Sequence, residues 1–76
     1  MIRYDPHAEF QMERRGITKQ QVENVLREWD ETETHGDKRS FLKCDPERGN
    51  MLRVVARDSD HRYVITAYYD RRLPCE

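Results

Sequence analysis

The stretch Met51-Leu52-Arg53-Val54-Val55-Ala56-Arg57, followed by Asp58-Ser59-Asp60 and then by Tyr63-Val64-Ile65-Thr66-Ala67-Tyr68-Tyr69, decides the fold. In its first part Leu52, Val54 and Ala56 alternate with Arg53, Val55 and Arg57, the two-residue period of a strand with unlike faces. Its last part is rich in β-branched and aromatic residues, which suit a pleated sheet. The short polar link between them reads as a hairpin connection. Strands are therefore expected over about 51–57 and 62–69. Upstream, Asp45-Pro46-Glu47-Arg48-Gly49-Asn50 is a turn by composition, and the mixed segment 39–44 supplies a third strand.

The N-terminal side has a different period. Asp5-Pro6 is an acidic cap followed by proline, which suits a first helical position, and Gly16 closes the segment, so a helix is expected over about 5–15. Thr18 with Gln21 forms a capping-box pattern, and Val22, Val25, Leu26 and Trp29 make an i, i+3, i+4, i+7 stripe, giving a second helix over about 18–29. The polar run from Asp30 to Asp37 reads as a break. The expected fold is α+β: two N-terminal helices packed on one face of a three- to four-stranded antiparallel meander, in a single small domain over residues 1–76.

The chain's 76 residues and 36% hydrophobic content exclude a multidomain enzyme. A domain of this size buries only about 60% of the surface its unfolded chain exposes, so its core is thin. No apolar run is long enough for a membrane span, and the first residues lack the apolar stretch of a signal peptide, so a cytoplasmic protein that contacts no membrane is expected. Cys44 and Cys75 are too far apart for a metal knuckle or a disulfide framework and read as reduced thiols. His7, His35 and His61 share no metal-ligand spacing, so neither a metal nor another cofactor is expected. The net charge of −1 hides an asymmetry: residues 1–36 carry five Lys/Arg against eight Asp/Glu, and residues 37–76 carry nine against seven.

That asymmetry puts the basic residues on the strands. If Leu52, Val54 and Ala56 pack under the helices, Arg53 and Arg57 project from the open side. Arg39 and Lys43 alternate with Ser40, Leu42 and Cys44, and Phe41 would suit either face. The last strand adds either Arg62, Thr66 and Tyr68, or Tyr63 and Tyr69. A cationic face with interleaved aromatics suits a phosphate backbone and stacked bases, although a plain solvated face has the same pattern. RNA cleavage on such a face needs a proton acceptor for the ribose 2′-hydroxyl, a proton donor for the leaving 5′-oxygen, and cations to hold the phosphate charge. Arg53 and Arg57 are the expected phosphate clamp and His61 and Tyr68 the proton-transfer candidates, with Arg39, Lys43, Arg71 and Arg72 as further RNA contacts. His7 and Arg15 read as structural or site-adjacent, His7 bonding near the helix start and Arg15 pairing with Glu13, Asp5 or a backbone carbonyl.

His7-Ala8, Met12, Arg15-Gly16-Ile17, the Val22–Leu26 helix and Val64-Ile65-Thr66 with Tyr68 resemble domain-of-unknown-function family 4258, whose pattern opens H-A-x-x-R-M-x-x-R-G-I and closes V-I-T-x-Y. Gln11 stands where that pattern usually has arginine. Tyr4-Asp5-Pro6 and the Arg15-Gly16-Ile17-Thr18 corner also resemble BrnT toxins of the RelE/ParE-like superfamily. That likeness implies a compact helix-helix-sheet fold, a toxin–antitoxin role with metal-independent endoribonuclease activity, and a cognate antitoxin as partner. The same fold would equally serve a non-catalytic interaction module, including a homodimer through a sheet edge.

Overall fold

The structure, a computed structural model, describes residues 1–75. Its elements run β1 (Arg3–Tyr4), α1 (Pro6–Arg15), α2 (Lys19–Glu28), β2 (Glu31–His35), β3 (Lys38–Asp45), β4 (Asn50–Arg57) and β5 (Asp60–Pro74). The strands form one sheet in the order β1-β5-β4-β3-β2, antiparallel except for the short parallel pairing of β1 with β5.

The fold is α+β with two helices on one sheet face, but the sheet has five strands where three to four were expected. The run from Asp30 to Asp37, expected only to break the helix, contains a hairpin arm, β2. Thr32 and Thr34 alternate with Glu31, Glu33 and His35, and β2 pairs along its whole length with β3. Only two residues connect them. Gly36, at φ 62°, takes the first central position that this tight connection requires. The fifth strand, β1, adds only Arg3 and Tyr4, beside Tyr63 and Val64.

Both helices start and stop where their local chemistry directs. The Asp5 carboxylate accepts from the His7 backbone N–H, Pro6 follows it, and Gly16 closes α1 in the left-handed conformation at φ 68°. Thr18 and Gln21 form both bonds of a capping box on α2. The helix ends at Glu28, one residue before Trp29. Ala8, Met12, Val22 and Val25 press onto Phe41, Leu52, Val54, Ala56, Val64 and Ala67, forming the core between helices and sheet. Each side chain lost from such a core costs on the order of 2–5 kcal/mol when a large aliphatic residue is cut to alanine.

Two features of β5 set up the sites. Between its pairings of Val64 with Ala56 and Thr66 with Val55, Ile65 is an extra residue, so the side-chain alternation shifts there. Tyr63 and Tyr68 consequently share the face away from the helices, while Val64, Ala67 and Tyr69 face them. Beyond Asp70 the strand runs on to Pro74, paired with Asn50, and Cys75 joins Cys44 in a disulfide with a Cα–Cα distance of 5.9 Å. The reading of the two cysteines as reduced thiols is thus corrected. They are 31 residues apart in sequence, yet β4 folds β3 and β5 around itself and brings their far ends together, where the Cys75 N–H also donates to the Gly49 carbonyl. No helix is long and apolar enough to cross a membrane among the described residues.

Candidate functional site: an arginine and tyrosine cluster at the β5 edge

The expected open-face clamp is not assembled. Arg53 does face away from the helices, but it is only 6% exposed and fully committed. Its Nε and Nη2 donate to Asp70 at 3.2 and 3.0 Å, and its Nη1 donates to Glu33 at 3.0 Å. Arg72 donates to the same Asp70 carboxylate through Nε and Nη2, each at 3.2 Å. The hydrogen bond from Arg72, followed by those from its backbone and from Arg53, holds the Asp70 carboxyl down to about 2. Two arginines and two carboxylates thus neutralise one another where a phosphate was expected.

Arg57 keeps different company. It stacks 3.9 Å from the centroid of Tyr63, whose other neighbour is Arg3 at 5.6 Å and whose hydroxyl donates to Asp5 at 2.9 Å. Arg53 and Arg57 therefore share no partner and do not converge on one phosphodiester.

Phe41 joins the core, so its strand neighbours Arg39 and Lys43 lie on the helix side and not on the open face. Arg39 pairs with Asp58 at 3.0 Å, and Lys43 Nζ donates to the Glu28 carbonyl at 3.3 Å. His61 also lies against Phe41, edge-on at 5.1 Å between ring centroids, which separates it from Tyr68. His7 uses its backbone N–H, not its ring, in the α1 cap, and its side chain is exposed.

A cationic site does form elsewhere, at the edge of β5 beyond the short β1. Arg14, Arg15, Arg48 and Arg71 gather with Tyr68 and Tyr69 around a concavity of about 450 Å³. Three separate pieces of chain deliver them. The last turn of α1 supplies Arg14 and Arg15, where cations complement the helix dipole. Arg15 Nη1 donates to the Ala67 carbonyl at 3.0 Å, satisfying a backbone acceptor of the edge, and its guanidinium lies 5.7 Å from the Tyr68 centroid. The Asp45–Asn50 turn supplies Arg48, which lies 4.2 Å over the Tyr69 ring. The extension of β5 supplies Arg71.

Tyr69 is the fixed point of this cluster. Its hydroxyl donates to Asp45 Oδ2 at 2.7 Å and accepts from Gln21 Nε2 at 3.2 Å, joining the turn, α2 and β5. Burial, with the Asp45 hydrogen bond second, pushes its hydroxyl up to about 12, so it remains a neutral stacking ring at all ordinary pH. Among the described residues no carboxylate forms an ion pair with Arg14, Arg15, Arg48 or Arg71. Arg14 also lies 5.7 Å over the Phe10 ring of its own helix. Guanidiniums with no ion-pair partner among the described residues, gathered beside aromatic rings, can hold a phosphate-rich ligand.

Of these residues Arg15, Tyr68 and Arg71 stand out in the sequence, although they are far apart in it. Tyr69 is offered there only as an alternative open-face aromatic, and Arg14 and Arg48 do not stand out. The only signal for Arg48 is its place in a Pro- and Gly-containing turn, and nothing local indicates that the turn folds back onto β5. Among the described residues no group of His, Cys, Asp and Glu is arranged to hold a metal.

The architecture defines an α+β domain, two helices on a five-stranded mixed sheet, with an arginine-rich strand edge. Residues 4–69 match the family described as Domain of unknown function (DUF4258), and the chain belongs to that family. No curated protein and no solved structure matches it.

Proposed function

We propose that this domain binds RNA through the β5 edge, with Arg14, Arg15, Arg48 and Arg71 engaging phosphates and Tyr68 offering a face to a base. The supporting observation is that four arginines, none ion-paired to a described carboxylate, line one concavity with two tyrosine rings, Arg15 lying over Tyr68 and Arg48 over Tyr69. Single-stranded nucleic acid is held by this combination of cations that track the backbone and rings on which bases stack. The near-neutral net charge directs binding to one patch and not to the whole surface. Fluorescence anisotropy with a short labelled single-stranded RNA tests the reading. Binding that weakens in Arg48→Ala and Arg71→Ala supports it, and no binding at low salt overturns it.

Cleavage of the bound strand, as the likeness to BrnT toxins and their RelE-like fold implies, is a second reading favoured by one arrangement. Tyr68 also lines a neighbouring cavity of about 510 Å³ on the open face, where Glu33 Oε1 lies 3.5 Å from His35 Nε2 and Arg53 forms part of the wall. In this reading Glu33, whose carboxylate also accepts from Arg53, would orient the His35 ring, and His35 would be the proton acceptor. The ribose 2′-oxygen would attack phosphorus as His35 accepts its proton, and the 5′-oxygen would leave with a proton from Tyr68. Growth arrest on induced expression, with RNA fragments ending in 2′,3′-cyclic phosphate, is the expected result, lost in His35→Ala. Healthy growth with intact RNA overturns this reading and leaves the binding reading standing.

A further inference from the structure

At the opposite end of β5 from the arginine cluster lies a cleft of about 380 Å³ with a different character. Its floor is Phe41, only 4% exposed. Trp29 lies against that ring at 6.0 Å and His61 at 5.1 Å, while among the described residues Trp29 and His61 make no ring contact with each other. Two aromatic walls thus stand on one aromatic floor with a gap between them. Ile2 and Leu26 complete the apolar lining.

Trp29 is the unusual member. It continues the apolar stripe of α2 in sequence, but the helix ends before it, and at the extended C-cap position the residue remains 45% exposed. A large ring held over the mouth of a pocket is apolar surface that a ligand can cover. The rim is cationic. Arg27 bonds only the Asn24 amide oxygen, at 2.7 Å, and Arg62 uses its backbone N–H on Asp60, so neither guanidinium has a carboxylate partner among the described residues. Glu23 is the single acidic residue of the lining.

We propose that this cleft binds a mononucleotide, its base seated between Trp29 and His61 over Phe41 and its phosphate held by Arg27 and Arg62. The volume lies within the range of small-molecule sites, about 300–1,000 Å³, which are mostly apolar with a few polar groups that fix orientation. Flat rings gain from edge-on and offset contacts with other rings, and a guanidinium meets a phosphate through two parallel N–H donors. An uncharged aromatic ligand would leave both arginines unused, and a bare anion would leave the three rings unused. This site goes beyond the RNA-binding surface and shares no residue with it.

Trp29 is the only tryptophan, so its fluorescence reports the site directly. Titration of the protein with AMP, adenosine and inorganic phosphate separates the two halves of the proposal, and the chemical shift of the Trp29 indole N–H serves as a second readout. AMP is expected to perturb Trp29 saturably and to bind at least about tenfold more tightly than adenosine, a difference of about 1.4 kcal/mol. In Arg27→Ala with Arg62→Ala, two exposed positions whose loss leaves the core intact, that advantage is expected to vanish. No saturable change in either readout up to about 10 mM AMP, a limit at which binding would contribute under 3 kcal/mol, overturns the proposal. So does phosphate alone acting as strongly as AMP, or a double variant that keeps the full preference for AMP.

Discussion

The guanidinium of Arg53 and the carboxylate of Asp70 meet twice, at 3.2 Å through Nε and 3.0 Å through Nη2, and both residues are almost wholly buried on the sheet face that carries no helix. Removing Asp70 takes away two of the three hydrogen bonds of the buried Arg53 guanidinium and leaves it only Glu33. Asp70→Ala is therefore expected to destabilise the fold, whereas the double change Arg53→Met with Asp70→Leu costs far less. Urea unfolding of the two variants checks this. A loss under about 1 kcal/mol in Asp70→Ala would mean that the pair is solvated and contributes little.

The same carboxylate sets an acid limit. Asp70 is held near 2, first by Arg72, and Asp5, Glu33 and Asp60 are also held below their ordinary values by hydrogen bonds. A carboxylate depressed in the folded state contributes stability above its unfolded value, near 3.8 for aspartate, and loses it as pH falls through the folded value. Stability should be level from neutral pH down to about 5 and then fall continuously to about 2. Chemical denaturation at stepped pH measures it. Asp70→Asn, if folded, should show a shallower acid slope, and an unchanged slope would remove Asp70 as the cause.

The helices and the β4–β5 hairpin were legible because each is written in local chemistry: Asp5-Pro6, Gly16, the Thr18 capping box, and the alternation of Leu52, Val54 and Ala56. What escaped depends on contacts between distant segments. Glu31–His35 alternates correctly but is too polar to announce a strand, and it acquires that identity by pairing with β3. The extra residue at Ile65 shifts the faces of β5, so neither of the two simple groupings of its aromatics holds: Tyr63, Thr66 and Tyr68 lie together. A strand pattern also places Arg53 on the open face without revealing that Glu33 and Asp70 neutralise it. The arginine cluster was hidden for a related reason, being assembled from α1, a turn and the end of β5.

Tyr4 offers a test in the opposite direction. Its hydroxyl is buried with no hydrogen-bond partner among the described residues, and burial is the first cause that raises its pKa. An unsatisfied buried hydroxyl costs stability that phenylalanine does not. Tyr4→Phe should be neutral or stabilising by up to about 1 kcal/mol, with Lys19 still able to lie over the ring, as it does now at 5.1 Å. A loss of more than about 1 kcal/mol in thermal or urea unfolding would show that the hydroxyl finds a partner in solution.

The disulfide closes a loop with a sequence separation of 31 residues, which in the chain-entropy account is worth about 3–4 kcal/mol. For a domain this small, that corresponds to a fall in Tm on the order of 10 °C or more on reduction. Calorimetry with and without a reducing agent measures it. Cys44→Ser with Cys75→Ser should melt like the reduced protein and respond to no reductant. A double variant as stable as the oxidised protein would show that the strand ends hold without the bond.

Salt dependence separates phosphate contacts from stacking at the β5 edge. Each phosphate neutralised on a single strand contributes about −0.7 to the slope of log K against log salt, so engagement by all four arginines predicts a slope near −3. Arg48→Ala and Arg71→Ala should each weaken binding and flatten the slope by somewhat less than 1, because both guanidiniums lack a carboxylate partner among the described residues. Tyr68→Leu should lower affinity while leaving the slope unchanged, since a stacked base releases no counterion. Arg15 carries a second duty at the Ala67 carbonyl, so Arg15→Ala should cost stability as well as affinity. A slope near zero in the natural protein would mean that the four arginines meet no phosphate and serve only to shield the strand edge.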